Sequence, residues 1–176
     1  MLQSTDIRLH RATEADAEGI AAVHVRSWQA AYQELLPQAY LDGLRIPDRA
    51  ASWRRELAAL PEDRRPWVAL LEEQVRGFVV AGPSRDDDCG PETAEVYALY
   101  VDPVCWGVGV GRALMEHQVS FLRRRGYHAA TLWVLADNRR AIDFYVAGRW
   151  YRDGAAKPIT IGGVTLEEVR YRLDLG

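Results

Sequence analysis

Val101-Asp102-Pro103-Val104-Cys105-Trp106-Gly107-Val108-Gly109-Val110-Gly111-Arg112 joins an apolar run to an amphipathic one, and its reading decides the fold. Upstream, Ala94 to Val101 is apolar on both faces, the pattern of a central strand. Downstream, Val110, Leu114, His117 and Phe121 fall on one face of a helix that runs to about Arg125. Gly126 ends it in the C′ position. Glycines just ahead of a helix N-terminus let backbone come close to a ligand. The free N–H groups of the first turn then bind an anion, helped by the helix dipole. Phosphate is the obvious anion. No Gly-Lys-Ser/Thr is present, so this is not a P-loop. The fingerprint G-x-G-x-x-G fails in both frames, because Arg112 and Leu114 stand where the last Gly belongs. Glycines alone fit a plain tight turn into a buried helix equally well.

The flanking elements supply the context. Behind the turn, Ala129 to Leu135 reads as a strand and Arg139 to Val146 as a helix. Arg149 to Arg152 and Thr165 to Leu173 read as two closing strands. Ahead of it, Trp67 to Leu71 and Val75 to Ala81 form a hairpin through Glu72-Glu73-Gln74. Gly82 to Pro91 is a loop, with Gly and Pro at both ends. Ile7 to His10 is a first short strand. Thr13 and Asp16 make a capping box for a helix carrying Ile20, His24, Trp28 and Ala31. Pro37 starts a short helix with Tyr40 and Leu41. Asp48 caps a third, with Trp53, Leu57 and Leu60, stopped by Pro61. The order β-α-α-α-β-β-β-α-β-α-β-β predicts a mixed α/β sheet with helices on its faces.

The chain has 176 residues, 48% of them hydrophobic and 27% charged, the balance of an ordinary globular protein and a single domain's length. A net charge of −3 demands no nucleic-acid partner. Of 22 basic residues, Lys157 is the only Lys. Cys89 and Cys105 make no framework, and His10, His24, His117 and His128 lack metal-ligand spacing, so no metal is expected. No apolar segment looks like a signal peptide or a membrane span. The expected compartment is the cytoplasm.

Trp106-Gly107-Val108-Gly109-Val110-Gly111 resembles the pattern [Gln/Arg]-x-x-Gly-x-[Gly/Ala] of the GNAT superfamily, the acyl-CoA-dependent N-acyltransferases, except that Trp replaces the first Gln or Arg. Leu99-Tyr100-Val101-Asp102-Pro103 is also similar to that family. So is Asn138-Arg139-Arg140-Ala141-Ile142-Asp143-Phe144-Tyr145, which resembles its N-x-x-A-x-x-F-Y block. Together these cover about Ala94 to Asp153. Ser27-Trp28 with Tyr32 and Leu36-Pro37 looks like one bacterial branch. The resemblance implies a single N-acetyltransferase domain over residues 1–176. Its fold is a mixed, mostly antiparallel sheet with helices on both faces and a splayed central parallel strand pair.

It also implies a site. Acetyl-CoA lies between the splayed strands. Pantetheine pairs with the backbone of Leu99, Tyr100 and Val101, and the pyrophosphate sits on the amides of Gly107, Val108, Gly109, Val110, Gly111 and Arg112. Trp106 removes a side-chain contact and leaves the amide cradle. The Arg112 guanidinium is either a phosphate contact or a solvated first-turn charge. Asn138 is an N-cap by its position, and by resemblance a partner of the pantetheine arm. Tyr145 is the acid that protonates the departing thiolate, a task a phenol suits. Glu95, in register with Tyr97, Leu99 and Val101, falls where some members carry a general base; a water chain is the alternative. The Gly usual four residues after the Tyr is Arg149 here, with Gly148 one place early, so a different turn is expected.

The acceptor is a primary amine, on a small molecule or a peptide N-terminus, and a homodimer is compatible with the family. The rival readings are transfer of another acyl group and a CoA-binding module without catalysis. The retained Tyr145 favours an enzyme. Cys105 reads as a small buried hydrophobe, and His24 and His117 as satisfied core residues. Trp28, Tyr32, Tyr40 and Trp53 read mostly as core, one or two of them lining an aromatic wall of the acceptor site. Asp86-Asp87-Asp88 reads as a solvated, mobile tip, or as a steering charge for a cationic amine, as do Glu167 and Glu168.

Overall fold

Seven strands join in one sheet in a computed structural model that describes residues 7–176. The elements are β1 (Arg8–Arg11), α1 (Ala17–Ala31), α2 (Gln38–Asp42), α3 (Ile46–Ala59), β2 (Trp67–Leu71), β3 (Gln74–Pro83) and β4 (Thr93–Val101). They continue as α4 (Val110–Arg124), β5 (Ala129–Leu135), α5 (Arg139–Ala147), β6 (Tyr151–Ile161) and β7 (Val164–Asp174). The sheet order is β1-β2-β3-β4-β5-β7-β6. Every neighbouring pair is antiparallel except β4–β5, which is parallel. The mixed, mostly antiparallel sheet with a central parallel pair is therefore present as the sequence implies.

Alternation along the strands divides the apolar residues into two cores, because successive side chains leave opposite faces. On one face, Val79, Ala94, Val96, Leu132 and Val169 pack with Val110, Leu114 and Leu122 of α4, and Phe144 and Tyr145 of α5 join them. On the other, Val68 and Phe78 pack with Ile20 and Val23 of α1 and Trp53 and Leu57 of α3. Among the described residues, the second core reaches β4 and takes in no residue of β5, β6 or β7.

Several boundaries differ from expectation. The Thr13–Asp16 capping box forms, on a 3-10 turn that leads into α1. Asp48 does not cap α3. Arg45 holds that position and Asp48 lies in the first turn, because Pro47 suits the first helical turn, where it forfeits no hydrogen bond. Strand β3 runs on through Pro83, two residues into the expected loop. The largest difference is β6, expected at Arg149 to Arg152 and observed from Tyr151 to Ile161. It pairs with β7 through a tip at Gly162 and Gly163, both at positive φ as a two-residue hairpin turn requires. That tip lies against α2, where a Cβ on Gly162 would stand 2.7 Å from Tyr40.

Candidate functional site

The site begins where two strands part. Residues Thr93 to Val96 of β4 pair with Ala129 to Leu132 of β5, and there the pairing ends. Strand β4 continues to Val101 and β5 to Leu135. Past Val96, the β5-facing edge of β4 lacks a strand partner, so its main-chain groups are available to another extended chain.

The end of β4 is anchored firmly. Buried Asp102 accepts hydrogen bonds from Arg26 (3.2 Å) and Arg76 (3.1 Å), and from the N–H of Val104. The chain then enters the glycine turn. Gly107 has φ +82° and Gly109, the N-cap of α4, has φ +103°. Both are left-handed, a conformation glycine adopts without steric cost. A Cβ at Gly107 would meet nothing within 4 Å, so the turn is open on its outer side. The first helical bond runs from Ala113 N–H to the Gly109 carbonyl. The N–H groups of Val110, Gly111 and Arg112 are thus the orphan donors of the first turn. Arg112 is exposed there. Gly111 packs inward instead, with the Phe144 ring 3.4 Å from the position of an added Cβ. This turn, open and rich in free N–H, has the form an anion needs.

At the end of β5, Asn138 caps α5 by accepting the Ala141 N–H at 3.2 Å. Tyr145 lies two turns into α5, with its ring 6.3 Å from that of Trp150. Burial pushes its pKa above the ordinary value, and the nearby Tyr100 adds to the shift. Tyr32 is raised in the same way, with Tyr100, Tyr145 and Glu168 around it. Tyr100 is raised by its own burial. These groups converge from α1, β4, α5 and β7 on one place. The turn after α5 is left-handed at Arg149, with φ +67°. The expected change of turn is thus a change of residue: Arg149 carries a conformation that glycine would take freely.

The alternation behind the placement of Glu95 breaks at Tyr97. The β3–β4 register shifts there, with Val80 opposite Ala98 and Ala81 opposite Val96. Such a bulge turns the residues beyond it to the opposite face. Leu99 and Val101 pack on the α4 side, whereas Ala98 and Tyr100 pack on the α1 side. Val96 also packs on the α4 side, so Glu95 shares the α1 face with Tyr100 and not with Leu99. It is 2% exposed, and its carboxylate accepts from the Arg85 main-chain N–H at 3.0 Å and from the Arg85 guanidinium.

A cavity of about 360 Å³ opens on this face. Glu95 and Tyr97 of β4, Trp133 of β5, Lys157 of β6 and Glu168 of β7 line it, together with Arg85 and Asp86. Lys157 Nζ lies 3.8 Å from the centroid of the Trp133 ring. Glu168 is half-buried, and burial pushes its pKa up against the pull of Lys157. The sequence reads Glu168 as a solvated charge or a steering charge, not as a cavity residue. Alternation with Val169, buried in the α4-side core, puts Glu168 on the opposite face of the sheet, the face on which the cavity opens.

The acidic stretch is not a mobile tip. Buried Arg170 donates to Asp86 (3.2 Å), Asp88 (2.6 Å) and Asp153 (2.8 Å). The Trp133 indole N–H also donates to Asp86 at 3.0 Å. Asp88 falls to a pKa of about 2, chiefly through its hydrogen bond from Arg170. A loop charge becomes structural when a buried guanidinium needs partners. Cys105 is buried, and burial raises its thiol pKa, as a packing residue requires. His24 is not a satisfied core histidine. Its Nδ1 has no hydrogen-bond partner, and its ring stacks on Tyr100 at 5.2 Å. His117 Nε2 is likewise unpartnered, with its ring 4.2 Å from that of Trp67. Trp53 is core, 5.3 Å from Phe78, while Trp28 and Tyr32 border Tyr100 or its neighbours. Among the described residues, no helix is long and apolar enough to cross a membrane.

A family model described as acetyltransferase (GNAT) family matches residues 26–148. An uncharacterised N-acetyltransferase of Bacillus subtilis, YuaI, is 33% identical over 93% of this chain and 90% of its own. The mycothiol acetyltransferase of Saccharopolyspora erythraea is 33% identical over 79% of this chain, which spans only 48% of that protein. Among solved structures, the PaiA N-acetyltransferase of Thermoplasma acidophilum in complex with coenzyme A shares the fold at a TM-score of 0.75. It has 16% identity, over 97% of this chain and 99% of its own. The putative acetyltransferase yncA of Salmonella typhimurium with acetyl-CoA does so at 0.71, with 22% identity over 98% and 95%.

Proposed function

We infer a direct acetyl transfer from one premise: the chain belongs to the acetyltransferase (GNAT) family and is an acyltransferase. The reaction is attack by a primary amine on acetyl-CoA within a ternary complex. One observation carries this reading. Strands β4 and β5 part after Val96 and Leu132, the open glycine turn follows one of them, and Asn138 and Tyr145 follow the other. An unpaired strand edge suits an amide-bearing arm. A turn of free N–H groups suits a pyrophosphate.

The pantetheine arm is assigned to the main chain of Leu99, Tyr100 and Val101, with Asn138 as a further partner. The pyrophosphate is assigned to Gly107, Val108, Gly109, Val110, Gly111 and Arg112. N–H groups at the end of β4 polarise the thioester carbonyl and stabilise the developing oxyanion. The incoming ammonium must first lose a proton, because only the free amine has a lone pair. Glu95, directly or through water, takes it. The amine then attacks the carbonyl carbon, the C–S bond breaks, Tyr145 protonates the thiolate, and the surplus proton on the new amide nitrogen leaves to solvent, through which Tyr145 is restored. Burial keeps Tyr145 in its proton-bearing form, and the same burial raises the proton affinity of a thiolate expelled beside it. The acceptor enters from the α1 face, through the cavity over Glu95 and Trp133.

Calorimetry with acetyl-CoA tests the reading. Wild type is expected to bind in the micromolar range. Gly109→Trp, which strains a φ of +103° and fills the turn, is expected not to bind. Its near-ultraviolet circular dichroism serves as the control for folding. Absence of binding by wild type overturns the assignment.

A further inference from the structure

We propose that Lys157 is an acetylation site of the chain's own making, modified in cis by the active site it faces. The inference rests on the acetyl-transfer reading above and adds a substrate to it. Lys157 is the only lysine in 176 residues. A basic residue chosen for charge or solubility alone would be Arg, as the other 21 are. The two are not equivalent chemically. An ammonium on a flexible four-carbon stem gives up its proton and becomes a nucleophile, while a guanidinium does not.

Its position is equally particular. Lys157 stands on the edge strand β6 and is exposed, yet its side chain turns inward along the sheet. Its ammonium folds onto the ring of Trp133, 3.8 Å from the centroid. Trp133 is the first residue of β5 beyond Leu132, the last one paired with β4. The ammonium therefore rests at the root of the opening between the strands, in the same cavity as Glu95. Glu168 lies directly across from Lys157 in the β6–β7 register. An aromatic face and a carboxylate are the two surfaces that hold an alkylammonium. The cleft that would receive a foreign amine thus already holds one.

The step balances with the groups present. The Lys157 ammonium gives up one proton to water, with the Glu168 carboxylate across the β6–β7 register as the nearby acceptor that relays it to solvent. The free amine attacks the acetyl carbonyl, an N–C bond forms and the C–S bond breaks. The thiolate takes a proton from Tyr145, and the amide nitrogen loses its second proton to solvent, through which Tyr145 is restored. The products are acetyl-Lys157 and free CoA.

The experiment is intact-mass and peptide mass spectrometry of the full chain after incubation with acetyl-CoA and no other amine. Wild type is expected to gain the mass of one acetyl group, mapped to Lys157, at a rate per chain that does not depend on protein concentration. Lys157→Arg is expected to gain none there, and Gly109→Trp to remain unmodified. Three results overturn the proposal: no acetylation of a wild type that binds acetyl-CoA by calorimetry, equal acetylation of heat-unfolded chain, or a rate that rises with protein concentration. The first leaves the acetyl-transfer reading standing. Failure to bind acetyl-CoA removes both.

Discussion

The indole N–H of Trp106 donates to the main-chain carbonyl of Val101 at 2.9 Å, so the turn is tied back onto the strand it leaves. Trp106 occupies the position at which the family motif has Gln or Arg. Its ring also carries the Arg140 guanidinium, 3.9 Å from the centroid. The side chain is a brace, and the pyrophosphate site proposed for Gly107 to Arg112 is built from main-chain amides rather than from this side chain. Trp106→Phe keeps the stacking face and loses the bond. The expected cost is about 1 kcal/mol of stability, seen as a lower urea midpoint, with acetyl-CoA affinity retained. A tenfold loss of affinity would mean that the indole touches the ligand.

Glu95 is buried and gripped by Arg85, yet it faces the cavity. Its role is read from pH dependence. If Glu95 accepts the amine's proton, Glu95→Gln lowers kcat/KM by about 10²-fold near neutral pH. The deficit then shrinks as pH rises toward the amine's own pKa, because the acceptor arrives already neutral. A deficit equal at every pH identifies Glu95 as a support for Arg85 and the loop, and leaves water as the base.

Arg149 sits at φ +67° with its N–H bonded to the Val146 carbonyl. A left-handed non-glycine residue costs about 1–2 kcal/mol, part of which glycine returns as lost chain entropy. Arg149→Gly is expected to stabilise the chain by about 0.5–1 kcal/mol, measured as a raised urea midpoint with unchanged slope. A destabilised variant would show that the Arg149 side chain holds the end of α5.

The glycine turn, the Asn138 cap and the place of Tyr145 were legible in the sequence, because each is a local pattern: a strand, a turn residue and a helix within a few positions. Glu95 was legible as a residue but not as a direction. One extra residue at Tyr97 reverses the alternation, and nothing in an apolar run marks a bulge. The grip of Arg170 on Asp86 and Asp88 joins positions more than 80 residues apart, beyond any local pattern. Strand β6 runs past its expected end at Arg152 through Gly154 and Pro158, residues disfavoured inside strands; Pro158 is admissible because β6 is an edge strand. With β6 shortened, Lys157 and Glu168 could not be seen to share a cleft.

His24 links the aromatic wall to acid stability. It stacks on Tyr100 and lies near Trp28 and Phe78. Burial, reinforced by Arg49, lowers its pKa from 6.5 to about 4. The unfolded chain therefore binds this proton at higher pH than the folded one. Stability is complete above pH 6.5 and is lost as pH falls toward 4, by at most about 3 kcal/mol from this group. His117 is lowered in the same direction and adds to the slope. Urea midpoints of wild type and His24→Gln across this range should converge at low pH. Parallel curves would place His24 in solvent.

Tyr145→Phe separates binding from chemistry. The phenol hydroxyl is the one group removed, and the ring still packs by Phe144 and Trp150. Acetyl-CoA affinity is expected to be unchanged, and kcat to fall by about 10²–10⁴-fold. The burial that raises its pKa fixes two further signs. In wild type, loss of this proton gives no alkaline fall in rate at the ordinary tyrosine value of 10.0. In unfolding, the free chain ionises this phenol at 10.0 while the folded chain holds it, so stability is present below that pH and lost as pH rises beyond it. Tyr32 and Tyr100 are raised too and contribute the same loss. Tyr145→Phe should therefore lose less stability above pH 10 than wild type while losing nearly all turnover. Full turnover in the variant would remove Tyr145 as the acid and transfer that role to water.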